Sequence, residues 1–262
     1  MNNHNIKEKK VTLVGAGPGD VELITLKGLK ALQQARVVLY DALVNTQLLK
    51  EAPESSIRIY VGKRKNQHAL SQLAINKLIV EYALTVGNVV RLKGGDSFVF
   101  GRGFEEISYA ASFGVETEVI PGISSSISVP ALQHIPVTSR GYSESFWVIT
   151  GSNGNQELSN DLSVAVNTEA TVVILMGVNQ LPAIVNKYKE AGREGLPVAI
   201  IQNGSLPNEK YVVGTIATIE ELATANQIGT PAIIIIGKVV SLHRDFSLKQ
   251  QISDLINGVT LN

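Results

Sequence analysis

Cysteine is absent from the 262-residue sequence. That excludes disulfides, thiolate metal sites and cysteine nucleophiles, and it accords with a reducing cytoplasm. An excess of either charge is absent too, since 23 Lys and Arg balance 23 Asp and Glu. Without a global positive field, no nucleic-acid partner is expected, and an anionic ligand has to be met by local clusters. The histidines His4, His68, His134 and His243 are scattered without metal-ligand spacing, so no metal is expected. Long apolar runs are also missing. No segment approaches the roughly 20 residues of a membrane span, and the N-terminal MNNHNIKEKK lacks an apolar signal core. The expectation is a soluble, cytoplasmic protein with no membrane partner.

What remains is ordinary globular material: 44% hydrophobic and 18% charged residues, in a length that suits one large or two medium domains. The most informative stretch is Gly87–Gly103, GNVVRLKGGDSFVFGRG. A buried-strand pattern over Asn88–Leu92 breaks into Gly94-Gly95, then sets Asp96 beside Phe98 and Phe100 and closes on Gly-Arg-Gly. Glycine pairs let backbone approach a ligand closely, and open parallel sheets take ligands at the carboxyl ends of their strands. A tight turn after a strand reads equally well from Gly-Gly-Asp alone.

Around it the chain alternates. Val11–Val14 reads as a strand running into Gly15-Ala16-Gly17-Pro18-Gly19-Asp20, where Asp20 is placed to cap a helix with Leu23, Leu26, Leu29 and Leu32 on one face. Arg36–Tyr40 is the next strand and ends at Asp41. This imitates a dinucleotide-binding fingerprint, but an aspartate stands where the third glycine belongs and Pro18 removes a backbone donor. Ile57–Val61 is a strand leading into Gly62-Lys63-Arg64-Lys65, a solvated loop or an anion-binding rim. Leu70, Ala74, Leu78 and Tyr82 mark an amphipathic helix over Ala69–Ala83. A helix around Phe104–Phe113 and a strand Val115–Ile120 follow, the latter running into Pro121-Gly122-Ile123-Ser124-Ser125-Ser126. Strand–helix alternation implies right-handed crossovers and a mostly parallel sheet.

Ile135–Ser145, rich in Pro, Ser and Gly with a lone Arg140, reads as a linker. The expected division is a polar lead-in 1–10, domains 11–138 and 139–246, and a tail 247–262. Beyond the linker, Phe146–Thr150, Thr171–Leu175, Val198–Ile201 and Tyr211–Thr215 are strand-like, and Ile219–Ala225 is helical. Ala232–Val240 is apolar enough to require burial on both faces. Ser247–Gly258 reads as a final packing helix.

Five stretches taken together resemble the tetrapyrrole methylase family: GAGPGD (15–20), YDALV (40–44), VGKR (61–64), RLKGGDSFVFGRG (91–103) and VIPGISSSISVPALQHIPVT (119–138). The resemblance spans about residues 10–240. It implies two α/β domains with S-adenosylmethionine held in the cleft between them, in a mode unlike Rossmann methyltransferases. The implied activity is methylation of two pyrrole carbons of uroporphyrinogen III in turn. That gives precorrin-2 for sirohaem, cobalamin or related cofactors, with S-adenosylhomocysteine as the other product. Matching positions imply cofactor contacts at Pro18, Gly94, Gly95, Asp96, Val99, Ser124, Ser125, Met176, Gly204 and Ala232. Asp41 and Lys63 match the family's proton acceptor and donor. Lys63, Arg64, Arg91, Lys93, Arg102 and Arg140 are read as a rim for the substrate's carboxylates. The family habit is a homodimer.

The sequence departs from the family pattern at Ser97, usually Pro, at Phe104, often Gly, at Ser124-Ser125, usually Thr-Ala, and at Ser139, often His. Asp41 also reads as a turn cap, and Met176 as core packing. Other readings are a family member acting on a later corrinoid, on diphthamide or on ribosomal RNA, a nicotinamide-dependent oxidoreductase, and a non-catalytic tetrapyrrole carrier. With no further domain for dehydrogenation and iron insertion, the chain is expected to stop at precorrin-2.

Overall fold

The structure, a computed structural model, describes residues 9–62, 70–152 and 157–246. It divides into two compact units, Met1–Ser124 and Ser125–Asn262.

The first unit carries β1 (Lys10–Gly15), α1 (Leu26–Gln33), β2 (Val37–Tyr40), β3 (Ile57–Tyr60), α2 (Gln72–Thr85), β4 (Val89–Lys93), α3 (Gly103–Ser112) and β5 (Glu116–Ile120). The strands form one sheet in the order β3-β2-β4-β1-β5, and every pairing is parallel. Because side chains alternate along a strand, each strand feeds two cores. Val14, Val38, Val90, Leu92 and Ile120 pack with Leu32 of α1 and with Leu48 and Leu49 of the turn Thr46–Glu51. On the opposite face Val11, Val37, Leu39 and Val89 pack with Ile75, Ile79 and Ala83 of α2 and Ala110 of α3. A parallel sheet covered on both faces explains the nearly continuous apolar strands.

Two helices differ from expectation. Asp20 caps the short 3-10 turn Val21–Leu23, accepting from Glu22 N at 2.9 Å, while α1 is capped by Thr25, whose Oγ1 accepts from Gly28 N at 3.1 Å. Leu26 consequently lies on the outside, 76% exposed. In α2 the buried stripe is Ile75, Asn76, Ile79, Val80 and Ala83, one position on from Ala74, Leu78 and Tyr82, and Leu70 precedes the helix. Ser71 sets this start by capping Ala74 N.

The second unit carries α4 (Ser125–Leu132), β6 (Phe146–Thr150), α5 (Asp161–Ala165), β7 (Thr171–Leu175), α6 (Leu181–Glu190), β8 (Pro197–Gln202), β9 (Lys210–Thr215), α7 (Ile219–Ala225) and β10 (Ala232–Ile236). The order is β6-β7-β10-β8-β9. Only β6–β7 is parallel; β7–β10, β10–β8 and β8–β9 are antiparallel, so the mostly parallel pattern holds in the first sheet alone. The apolar run from Ala232 is buried on both faces as expected: Ile234 and Ile236 pack with α5, α6 and α7, while Ile233 and Ile235 pack with Val129 of α4 and with Val239 and Val240. The strand stops at Ile236, where Gly237 (φ 152°) leads into the 3-10 turn Lys238–Leu242.

The expected linker is instead built into the second unit. Ile135 and Val137 join its core, and the buried Ser143 Oγ accepts from Thr171 N at 3.0 Å. The division between units therefore falls at 124/125 rather than 138/139. The tail expected as a helix lies outside the described residues.

Candidate active site

Three loops at the carboxyl edge of the first sheet meet. β1 lies between β4 and β5, and the loop after β1 joins the other two. Ala16 N donates to Lys93 O at 2.7 Å, and Gly17 and Gly95 form an antiparallel bridge, with Gly95 N donating to Gly17 O at 2.7 Å. Asp96 ties in the third loop: its Oδ1 accepts from Phe98 N at 2.8 Å and its Oδ2 from Gly122 N at 2.9 Å. The glycines make this approach feasible. A Cβ at Gly15 would lie 2.5 Å from Gly122 Cα, a Cβ at Gly122 would collide with Gly95 O, and a Cβ at Gly94 would lie 2.5 Å from Leu43 Cβ. Gly95 also has φ +64°, a conformation that favours glycine. The closeness supplied by Gly94-Gly95 thus serves first to let backbone meet backbone. The loop after β1 makes this bridge before Asp20 caps the short 3-10 turn Val21–Leu23.

Beneath the turn lies a charge cluster. The alternation in Val89–Lys93 puts Arg91 and Lys93 on the face covered by α2 and α3, where their side chains are 3% and 7% exposed. Glu106 of α3, fully buried, receives both: Arg91 Nε at 3.2 Å and Lys93 Nζ at 3.1 Å reach its Oε1, as does Gln72 Nε2 at 3.2 Å. Gln72 also donates to Asn76 Oδ1 at 2.9 Å. Burial, seconded by the Arg91 charge and opposed by Glu106, holds the Lys93 ammonium below its ordinary range. Asp41 stands at the cluster's edge with its side chain 24% exposed, its Oδ2 accepting from Arg91 Nη2 at 3.3 Å and its Oδ1 from Leu43 N at 3.1 Å.

This corrects the expected substrate rim. Arg91 and Lys93 are committed to internal partners because a cation buried under two helices must be paired. Glu106, Gln72 and Asn76 do not figure in the sequence reading. The available signal is the spacing of two cations two residues apart on a buried strand, which requires an acid on the covering helix. Arg102 is exposed, adopts φ 56°, and makes a two-pronged pair with Glu105 at 2.8 and 2.7 Å. Lys63 and Arg64 lie outside the described residues.

Of the expected cofactor contacts, Pro18, Gly94, Gly95, Asp96 and Val99 belong to the joined loops, with Val99 N donating to Asp96 O at 3.3 Å. Ser124, 9% exposed, ends the first unit. In the second unit Ser125 opens α4, and Gly204 lies so close to Val129 of that helix that a Cβ there would collide with its side chain. Ala232 opens β10 opposite Gln202 at the end of β8. Met176 follows β7 with φ 56° and is 57% exposed, which rules out core packing. Arg140 is exposed. Among the described residues no group of three or more His, Cys, Asp or Glu could hold a metal ion, and no helix is long and apolar enough to cross a membrane.

A two-unit α/β chain with a glycine-joined strand edge defines a class, and comparison with known proteins names it. The chain belongs to the tetrapyrrole (corrin/porphyrin) methylases, whose family model matches residues 10–220. It is 45% identical over 235 residues to the uroporphyrinogen-III C-methyltransferase of Methanocaldococcus jannaschii, covering 89% of this chain and 97% of that protein. It is 44% identical over 239 residues to the siroheme synthase of Psychrobacter cryohalolentis, covering 91% of this chain but 46% of that protein. The chain thus spans about half the length of the siroheme synthases it matches. Among solved structures, uroporphyrin-III C-methyl transferase from Thermus thermophilus complexed with S-adenosylhomocysteine is 36% identical with a TM-score of 0.77, covering 89% of this chain and 99% of that one.

Proposed function

We propose that this chain is an S-adenosylmethionine-dependent C-methyltransferase that methylates uroporphyrinogen III twice, yielding precorrin-2 and S-adenosylhomocysteine. The observation that carries the reading is the nearly end-to-end likeness to a C-methyltransferase of that name, 97% of which is covered. The joined loops support it locally. At the carboxyl edge of a parallel sheet they bring main-chain groups and the half-buried Asp96 together without intervening side chains, which suits a polar, nucleoside-bearing cofactor. In this reading Pro18, Gly94, Gly95, Asp96, Val99 and Ser124 of the first unit hold it, while Ser125, Met176, Gly204 and Ala232 enter as cofactor contacts on the family motif alone.

When bound, the cofactor supplies an electrophilic methyl group. The protein's share is then positioning and proton handling, and holding reacting groups at contact is worth several kcal/mol. Each methylation forms a carbon–carbon bond at a pyrrole carbon and leaves a positive charge on the macrocycle, discharged by loss of a proton. The Asp41 carboxylate, partly open to solvent at a strand end, accepts that proton. The exposed rings of Phe98, Phe100 and Phe104 offer apolar surface to the pyrrole rings of the macrocycle, and Arg102 and Arg140 offer charge to its carboxylates. Lys63 as proton donor and Arg64 as a substrate contact enter on the motif alone. The proposal extends to a homodimer in the cytoplasm.

Calorimetric titration with S-adenosylhomocysteine tests the cofactor assignment. Wild type is expected to bind one equivalent per chain, and Asp96→Ala, which frees Phe98 N and Gly122 N, at least tenfold more weakly. Absence of binding by the wild type overturns the reading.

A further inference from the structure

We propose that Arg91 is a positioning residue: its buried guanidinium, anchored on Glu106, fixes the carboxylate of Asp41 for proton transfer. The inference rests on the reading of Asp41 as proton acceptor and goes beyond it, because it gives a role to Arg91, which is buried and bonded to acceptors within the first unit.

The guanidinium is held on three sides by acceptors inside the first unit. Nε donates to Glu106 Oε1 at 3.2 Å, Nη1 to Leu92 O at 2.9 Å and Leu39 O at 3.4 Å, and Nη2 to Asp41 Oδ2 at 3.3 Å. Among the described residues Arg91 has two charged partners, and Asp41 is the one with access to solvent: its side chain is 24% exposed, against none for Glu106. The other Asp41 oxygen accepts from Leu43 N. Two donors from separate segments, one on each oxygen, set both the place and the plane of the carboxylate. Such a set-up matters because proton transfer requires the acceptor within hydrogen-bond reach of the proton it takes.

Charge balance points the same way. Glu106 already serves Lys93 and Gln72 through the same oxygen that meets Arg91. Two buried cations therefore share one fully buried carboxylate, and the partly exposed Asp41, paired with Arg91, is the second acid of the cluster. Arg91 suits the role because its planar fork spans acceptors in several directions at once, which a lysine ammonium does not do. The same strand carries the Gly94-Gly95 turn, so the carboxylate is referenced to the element that shapes the loop edge.

The test is a double-mutant cycle on the whole chain, read as the single-turnover methyl-transfer rate with uroporphyrinogen III and S-adenosylmethionine, with S-adenosylhomocysteine affinity measured in parallel. Arg91→Lys is expected to slow transfer about 10- to 100-fold, the scale of a misplaced reacting group, while cofactor affinity stays within about threefold and the fold persists. In an Asp41→Asn background the same substitution is expected to cost nothing more, since there is no longer an acceptor to position. An equal loss in both backgrounds, or a loss that tracks cofactor affinity, overturns the proposal and leaves Asp41 as acceptor. A wild-type rate in Asp41→Asn overturns the acceptor assignment and the positioning role together. If Arg91→Lys does not fold, Glu106→Asp withdraws the anchor by one methylene with its charge kept and enters the same cycle, with the same outcomes.

Discussion

Gly122 shows most directly how single residues make the loop edge. A Cβ there meets Gly95 O and the Gly15 backbone, with Gly15 Cα at 2.6 Å, and backbone cannot swing aside as a flexible side chain would. Gly122→Ala is accordingly expected to cost on the order of 1–3 kcal/mol, the range of overpacking in a tight interior, read from urea unfolding. An unchanged midpoint would mean that the loops can separate freely. At Asp41, Asn keeps the shape and removes the charge and the basicity. The expected result is a methyl-transfer rate about 10²- to 10⁴-fold lower, the usual share of a general base, with a lowered melting temperature because the buried Arg91 loses a charged partner. The loop motifs were legible in the sequence because glycine and aspartate announce turns. The roles of Arg91 and Lys93 were not. Their charges suggest a surface rim, and only the pairing of β4 between β1 and β2 shows that their face of the strand is covered.

Among the elements, α6 carries an unusual interior group. Tyr188 is 1% exposed, and its hydroxyl has no hydrogen-bond partner among the described residues. Burial raises its ionisation well above the ordinary 10.0. The unfolded chain therefore loses this proton near pH 10 while the folded chain keeps it, so the stability linked to this group is fully present below pH 10 and is lost as pH rises beyond it. Tyr188→Phe removes both the unpaired hydroxyl and this loss. It is expected to be neutral or stabilising by up to about 1 kcal/mol at pH 7, with an advantage that widens above pH 10. Unfolding curves at both pH values check it, and a destabilised variant would reveal a hydrogen bond to the hydroxyl. In α1, Thr25→Ala is expected to cost about 1 kcal/mol, as a lost N-cap does, whereas the sequence had pointed to Asp20. Both residues are good caps, and nothing local says that a 3-10 turn separates them. The strands were legible as short apolar runs, but their directions in the second sheet were not. An apolar run buried on both faces reads alike in parallel and antiparallel company, and direction depends on connections such as the β8–β9 hairpin.

For the molecule as a whole, the two-domain α/β reading and the family were legible because five separated motifs agree. The boundary was not, because Ile135–Ser145 has a linker's composition yet its apolar members are core residues of the second unit. The central claim concerns chemistry and is tested most directly by counting transferred methyl groups. Under strict anaerobiosis, the purified chain is incubated with uroporphyrinogen III and methyl-labelled S-adenosylmethionine, and the product is weighed by mass spectrometry. The account calls for one and then two labelled methyl groups on each macrocycle, both absent in Asp41→Asn over the same interval. A macrocycle that gains no methyl group, although the chain binds S-adenosylhomocysteine, would contradict it.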